Sequence, residues 1–232
     1  MAANQRAAVR KGTRRGTLSR GAIVRAAVAL ADREGLAHLS MRALAKELGV
    51  EAMSLYHHVP NKDDVLDGMV DHVFAEIHLP VVGSADWRGE LRRRCVSGRE
   101  AMLRHPWAVG LMDSRPNAGI ETLLHHDAVV GCLRQAGFAW PMVSHAMVLL
   151  DAHLYGFMVQ ELSLPAVDSE ELGELAMQML DAPSVALPHL AAFTSEHVLR
   201  PGYRFGDEFE IGLDLLLDAI EDRLEADDGA QR

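Results

Sequence analysis

The sequence predicts an all-α protein built as a small helix-turn-helix head on a larger helical body. Three observations predict it. Residues of hydrophobic type make up 49% of the chain but aromatic ones only 5%, so long Ala- and Leu-rich stretches, good helix formers, carry the apolar content. Apolar residues recur at helical spacing between breaks that hold Pro or Gly. Neither strand-like alternation of useful length nor an internal repeat interrupts that pattern. A chain of 232 residues is long enough to bury a core in each of two unequal domains.

Residues 1–18 are basic and free of acids, which predicts a flexible arm. Arg14 and Arg15 lie nearest the folded part and are placed to reach phosphates or a minor groove. Ser19 is a helix N-cap and Gly35 a stop, so the first helix spans 19–34 with Ile23, Ala26, Ala27 and Leu30 buried. Ser40 caps a second helix whose apolar face is Ala43, Leu44 and Leu48. Gly49, able to turn left-handed, ends it. A third helix covers 51–58, with Val50 and Leu55 inward and Ala52, Met53, Ser54, Tyr56, His57 and His58 outward. Two helices across a short Gly turn form a helix-turn-helix, and its second helix has the dimensions of a DNA major groove.

Pro60 breaks the chain and Asn61 caps a linking helix to about residue 78, with Val65, Leu66, Met69, Val70, Val73 and Ile77 on one face. Helical patterns then follow at 86–104, 107–112, 117–135, 141–164, 169–180, 187–195 and 205–225. The expected units are an arm (1–18), a DNA-binding head (19–62), a linking helix (63–78), a ligand-binding and dimerisation body (79–225) and a tail (226–232). In the last helix Phe205, Phe209, Leu213, Leu216, Ile220 and Leu224 form a stripe that Ile211 and Leu215 widen beyond one core contact. A groove-reading module of this size works in pairs, which predicts a homodimer through the helices from Met142 to Leu164 and from Phe205 to Leu224.

Net charge is −10, which taken alone argues against nucleic acid. Residues 1–62, however, hold eleven Lys and Arg against four acids, a net of +7. Of the 23 basic and 33 acidic residues in the chain, the remainder therefore holds 12 and 29, a net of −17. A polyanion is drawn to the first end and repelled by the second. Cys95 and Cys132 show no metal or redox spacing. No secretory signal is evident and no apolar run is expected to span a bilayer, so a cytoplasmic protein without membrane partners is expected.

The run Ser40-Met41-Arg42-Ala43-Leu44-Ala45-Lys46-Glu47-Leu48-Gly49-Val50, followed by Leu55-Tyr56-His57-His58-Val59-Pro60-Asn61-Lys62, resembles the TetR family of one-component bacterial transcription regulators. The resemblance covers 19–78. It runs on through 79–225 into the tetracycline-repressor branch, by way of Asp86-Trp87, Ser114-Arg115-Pro116, Gln135-Ala136-Gly137-Phe138 and the stretch from Gly156 to Leu162. It implies a homodimeric repressor that a small molecule releases from a double-stranded DNA operator. An activator or a ligand-independent regulator is the alternative. The resemblance further implies DNA contacts by Ser40, Met41, Arg42, Ala52, Met53, Ser54, Tyr56, His57, His58 and Lys62, in addition to the arm. Arg42 would read guanine bidentately, Ala52 and Met53 would meet thymine methyls, and Ser40, Tyr56, His58 and Lys62 would hold the backbone.

For the effector the candidates are His78, Arg94, Trp107, Met112, His126, His153, Phe157 and Glu161. His78, His153 and Glu161 fall where tetracycline sensors carry His, His and Glu. Leu111 stands where those sensors place the His that binds the drug's magnesium, and Arg94 where they have Asn, so tetracycline is not expected. Arg94 would pair either an anionic ligand or a surface carboxylate. Neither cofactor nor metal is expected, because neighbouring His125 and His126 diverge on a helix. An enzyme is not expected either: Gly-x-Ser-x-Gly, a phosphate-cradling Gly loop and metal-hydrolase spacing are all missing from the sequence.

Overall fold

The computed structural model describes residues 18–112, 114–115, 119–164, 173, 177 and 186–230, with side chains as far as 224. Arg14, Arg15, Pro116 and most of the expected 169–180 helix lie outside the described residues. Among the described residues all regular structure is helical.

The head consists of α1 (Arg20–Glu34), α2 (Met41–Leu48) and α3 (Ala52–Leu55). Ser19 Oγ accepts from the Ala22 N–H at 3.2 Å and Ser40 Oγ from the Ala43 N–H at 3.1 Å, so both N-caps satisfy a donor the helix cannot. Gly49 has φ 64° and ψ 36°, the left-handed turn that lets Val50 N–H bond back to the Ala45 carbonyl at 3.0 Å. Ile23, Ala27, Leu30, Leu44, Ala45, Leu55 and Val59 close one apolar core. Burying Leu55 alone contributes about 1.5–3 kcal/mol. Ala45, not Ala43, is the fully buried small residue of α2; Ala43 and Leu48 pack at the core's edge.

The linking helix α4 (Lys62–Phe74) starts where Asn61 caps it, its Oδ1 accepting from the Asp64 N–H at 2.8 Å. It stops four residues short of the expected 78, because Glu76 and Ile77 bond back three residues, to the Val73 and Phe74 carbonyls. Val65, Leu66 and Met69 belong to the head core, whereas Val70, Val73, Phe74 and Ile77 join a second cluster with Ala101 and Ala108. One helix thus serves two cores. Gly68 is required where α4 meets α1, since a Cβ there would stand 2.7 Å from Val24 Cγ2.

The body comprises α5 (Trp87–Arg104), α6 (Ala108–Met112), α7 (Ile120–Gln135), α8 (Trp140–Ser163), α9 (Pro188–Phe193) and α10 (Glu208–Ala230). The last runs on through residues 226–230, where a tail was expected. Leu91, Met102, Leu133, Phe138, Leu150, Leu154, Phe209 and Leu213 are among its core residues. In α10 the buried stripe is Phe209, Leu213, Leu217 and Ile220, with Leu217 rather than Leu216 fully inward. Ile211 and Leu215, 57% and 66% exposed, do not widen that stripe but form a separate outward face.

One sequence expectation needs correction. By length and composition α8 suffices to cross a membrane, with a mean hydropathy of 1.3 over an eighteen-residue window. In the fold it packs against α5, α7 and α10 and carries Asp151 and Glu161, both in ion pairs with α5. Its other side is a solvent-facing apolar strip including Val148, Leu149, Val159 and Leu162.

Candidate functional site

The head presents α2 and α3 at its surface. Arg42, Met53, Tyr56, His57, His58 and Lys62 are exposed, with Met53 at 72%, while Met41 and Ala52 pack half-buried against the core and Ser54 is half-buried. Only 52–55 is regular α-helix, and the chain tightens after it through the His58 N–H to Leu55 carbonyl bond. The outward face of α3 is therefore one short turn whose tip is Met53. Basic charge around it is uncommitted. Arg20 pairs with Asp64 and Arg33 with Glu34 and Glu47, but Arg42, Lys46 and Lys62 stand outside every ion pair among the described residues. The N-terminus of α4 behind Lys62 also carries Asp63 and Asp64, held by Arg115 and Arg20, so the cation there is Lys62 itself rather than a bare helix end.

Head and body meet at a polar joint. Asp32 Oδ1, at the end of α1, takes the Trp107 indole N–H at 2.6 Å and faces His105 Nδ1 at 2.8 Å. The other nitrogen of His105 lies 3.3 Å from Glu76, which also accepts from Arg104. Asp63, Asp67 and Asp71, one helical turn apart along α4, hold the body as well. Arg115 bonds to the first two, and Asp71 accepts from the Thr122 N–H at 3.1 Å. Trp107 and the short helix α6 that follows it complete the joint: Trp107 and Leu111 pack on the head core and Met112 on the body core.

Directly beyond that joint lies a cleft of about 530 Å³ between α4, α6, α7 and α8. Phe74, Met112, His126, Met147, Asp151 and Tyr155 are among its walls. Of the eight effector candidates, Met112 and His126 line this cleft. Arg94 is not at the surface but 3% exposed, bonded through Nη2 to Asp151 Oδ1 at 3.0 Å. The fold does not bring the others to the cleft. His78 Nε2 is 2.7 Å from Glu90, whose carboxyl that contact and Arg93 hold down at about 2. Trp107 serves the joint. His153 stacks on Phe209 and bonds to its carbonyl, Phe157 stacks on Phe205 in the core, and Glu161 is paired with Arg99.

Asp151, Tyr155, Phe74 and Thr122 were not singled out from sequence. A lone acid inside the apolar run of α8 was the available signal for Asp151, and the four-residue spacing of Asp63, Asp67 and Asp71 the signal for the joint. His125, His126 and Asp127 diverge as expected, being buried, half-buried and exposed. Among the described residues no cluster of three His, Cys, Asp or Glu is arranged for a metal.

The chain is similar to known proteins over both its head and its body. Residues 23–69 match the family described as bacterial regulatory proteins, tetR family, and residues 79–224 match the tetracyclin repressor-like C-terminal domain. An HTH-type transcriptional regulator of Saccharopolyspora erythraea is 41% identical over 62% of this chain, a match spanning 61% of that relative's length. The HTH-type transcriptional repressor DrrR1 of Streptomyces coeruleorubidus is 32% identical, covering 88% of this chain and 78% of its own. The fold superposes on Streptomyces coelicolor ActR, solved in complex with actinorhodin, with a TM-score of 0.76 at 24% identity, covering 90% of this chain and 99% of that one. The chain belongs to the TetR family of bacterial helix-turn-helix transcriptional regulators.

Proposed function

We propose that the chain acts as a homodimeric repressor that leaves its operator when a small molecule enters the cleft between α4, α6, α7 and α8. The observation that carries this reading is the position of α6. Its five residues touch the head core through Leu111 and line the cleft through Met112. Anything that displaces one wall of the cleft therefore pushes on the head, which is the differential contact a ligand needs to shift an equilibrium between two states. On this reading Arg42 reads base edges, Met53 and Ala52 meet thymine methyls, and Lys62, Tyr56, His58 and Ser40 hold phosphates. The exposed apolar strips of α8 and α10, centred on Val148, Val159, Ile211 and Leu215, are the surface of the dimer. A second copy covering them turns α8 into an interior helix, and two heads then reach half-sites one helical turn apart. The protein acts where the chromosome is, in the bacterial cytoplasm.

The test is selection of bound fragments from genomic DNA by the purified protein, followed by a challenge with small-molecule extracts of the source bacterium. The expected result is an inverted repeat near a regulated gene and a complex that an extract dissolves. Recovery of fragments without shared sequence would contradict specific repression. A complex that no extract affects would point to a ligand-independent regulator.

A further inference from the structure

At the joint between head and body, the charge on His105 decides which contacts hold. His105 ends α5, where its N–H bonds to the Ala101 carbonyl at 2.9 Å, and it is 7% exposed. Its ring nitrogens face carboxyl groups from two different elements. Nδ1 lies 2.8 Å from Asp32 near the end of α1, and Nε2 lies 3.3 Å from Glu76 just beyond α4. A neutral imidazole has one N–H and one lone pair, so it satisfies one carboxylate and turns a lone pair on the other. Only the imidazolium donates to both. The surrounding groups do not change that count. Asp32 also takes the uncharged Trp107 indole N–H, and Glu76 takes Arg104 Nη2 at 2.7 Å. His72 on α4 stands 3.7 Å from the Glu76 oxygen that faces His105, too far to serve as its donor. Asp32, Glu76 and Arg104 together leave one negative charge, which an imidazolium at His105 cancels. Burial raises the Glu76 carboxyl, but the bonds from Arg104 and His105 outweigh it and hold it below the ordinary carboxylate range.

We infer that the joint is a proton-operated latch, closed across α1, α5 and the end of α4 while His105 is an imidazolium and opened on one side when the ring is neutral. A single ring ties three elements only if both nitrogens donate. Without the extra proton the ring keeps the shorter contact, to Asp32, and the longer one, to Glu76, opens. Histidine is the residue type that changes charge near neutral pH, which makes it the natural switch for such a tie. The latch does not depend on what fills the cleft, because His105, Asp32, Glu76 and Arg104 are not among its walls. Protons therefore reach the connection between head and body by a route separate from any effector.

The test is hydrogen exchange followed by mass spectrometry on the full-length protein at about pH 6 and about pH 8.5, with rates corrected for the intrinsic effect of pH. At the higher pH the segment 72–77 is expected to lose protection about tenfold, the worth of one charge-assisted hydrogen bond. Amides at 23–30, in the core of the head, keep theirs, which separates an opened latch from unfolding. His105→Gln cannot take up the proton, so its protection at 72–77 is the same at both pH values. Glu76→Gln provides a second reading should that variant not fold. Its amide N–H donates to the lone pair of a neutral ring while its oxygen retains Arg104, so the latch stays closed at both pH values. His72→Gln keeps the wild-type difference. Equal protection of the wild type at both pH values, a difference that survives in His105→Gln or Glu76→Gln, or one that vanishes in His72→Gln overturns the inference.

Discussion

In the head, Arg42, Lys46 and Lys62 stand outside every ion pair among the described residues, whereas the arginines of α5 in the body are all engaged. Arg88 holds Asp218 and Glu221, Arg92 holds Glu210 and Asp214, Arg94 holds Asp151 and Arg99 holds Glu161. The same residue type therefore does opposite work in the two regions. In the body, cations neutralise an acidic α10 and fix α5 against it and against α8. In the head Arg20 and Arg33 are paired as well, but among the described residues Arg42, Lys46 and Lys62 are not, and on the proposed function these three are available to DNA, where release of counterions supplies most of the salt-dependent affinity. The comparison teaches that net charge, −10 for the whole chain, says less about partners than which charges are already paired.

Removing the means by which two heads are held together breaks the comparison hardest. Ile211→Glu with Leu215→Glu places charges on the outward face of α10 without touching the buried stripe. Sedimentation is expected to show monomers that keep their helical circular dichroism, and operator affinity is expected to fall on the order of a hundredfold or more as avidity is lost.

Next in size is an acid effect confined to the body. His125 titrates at about 4 in the folded chain against an ordinary 6.5. Between those values the unfolded chain binds the extra proton, so stability declines as pH falls from 6.5 to 4 and then levels. The shift corresponds to about 3 kcal/mol. Thermal or urea unfolding across that window should show a smaller decline in His125→Phe than in the wild type.

Within the head, Arg42→Ala is expected to cost about 1–3 kcal/mol on the preferred operator and to relax preference at the base it reads. Lys62→Ala should weaken all sequences alike and lower the salt slope by about 1. Equal profiles for the two variants across an operator library would contradict the division into reader and anchor. The smallest effect is expected at the joint. Asp32→Asn retains the size of the side chain but loses the charge facing His105 and Trp107. DNA affinity should hold while the shift produced by the effector shrinks by about 0.5–2 kcal/mol, read as operator affinity with and without ligand.

The head was legible in the sequence because its signals are local. Ser19, Ser40 and Asn61 each cap the helix that follows, Gly35 and Gly49 have positive φ at the two stops, and each helix shows its core-facing residues at helical spacing. The body was legible in its helices but not in its cleft. Its walls come from α4, α6, α7 and α8, and no spacing rule reports which side chains of distant helices converge. His153 and Glu161 illustrate the failure: their types suited a binding site, but neighbours across the fold, Phe209 and Arg99, engage them. Leu217 in place of Leu216 is the same lesson on a smaller scale, since a helix's exact rotation is fixed by its partners.

On the proposed function two heads act together on one operator. Sedimentation velocity of the protein with the selected operator duplex measures this directly. Two chains per inverted repeat, with a complex that dissociates into free dimer and free duplex when the effector is added, is the predicted result. One chain bound to an asymmetric site, with unchanged stoichiometry when the apolar faces of α8 and α10 are made charged, would contradict it.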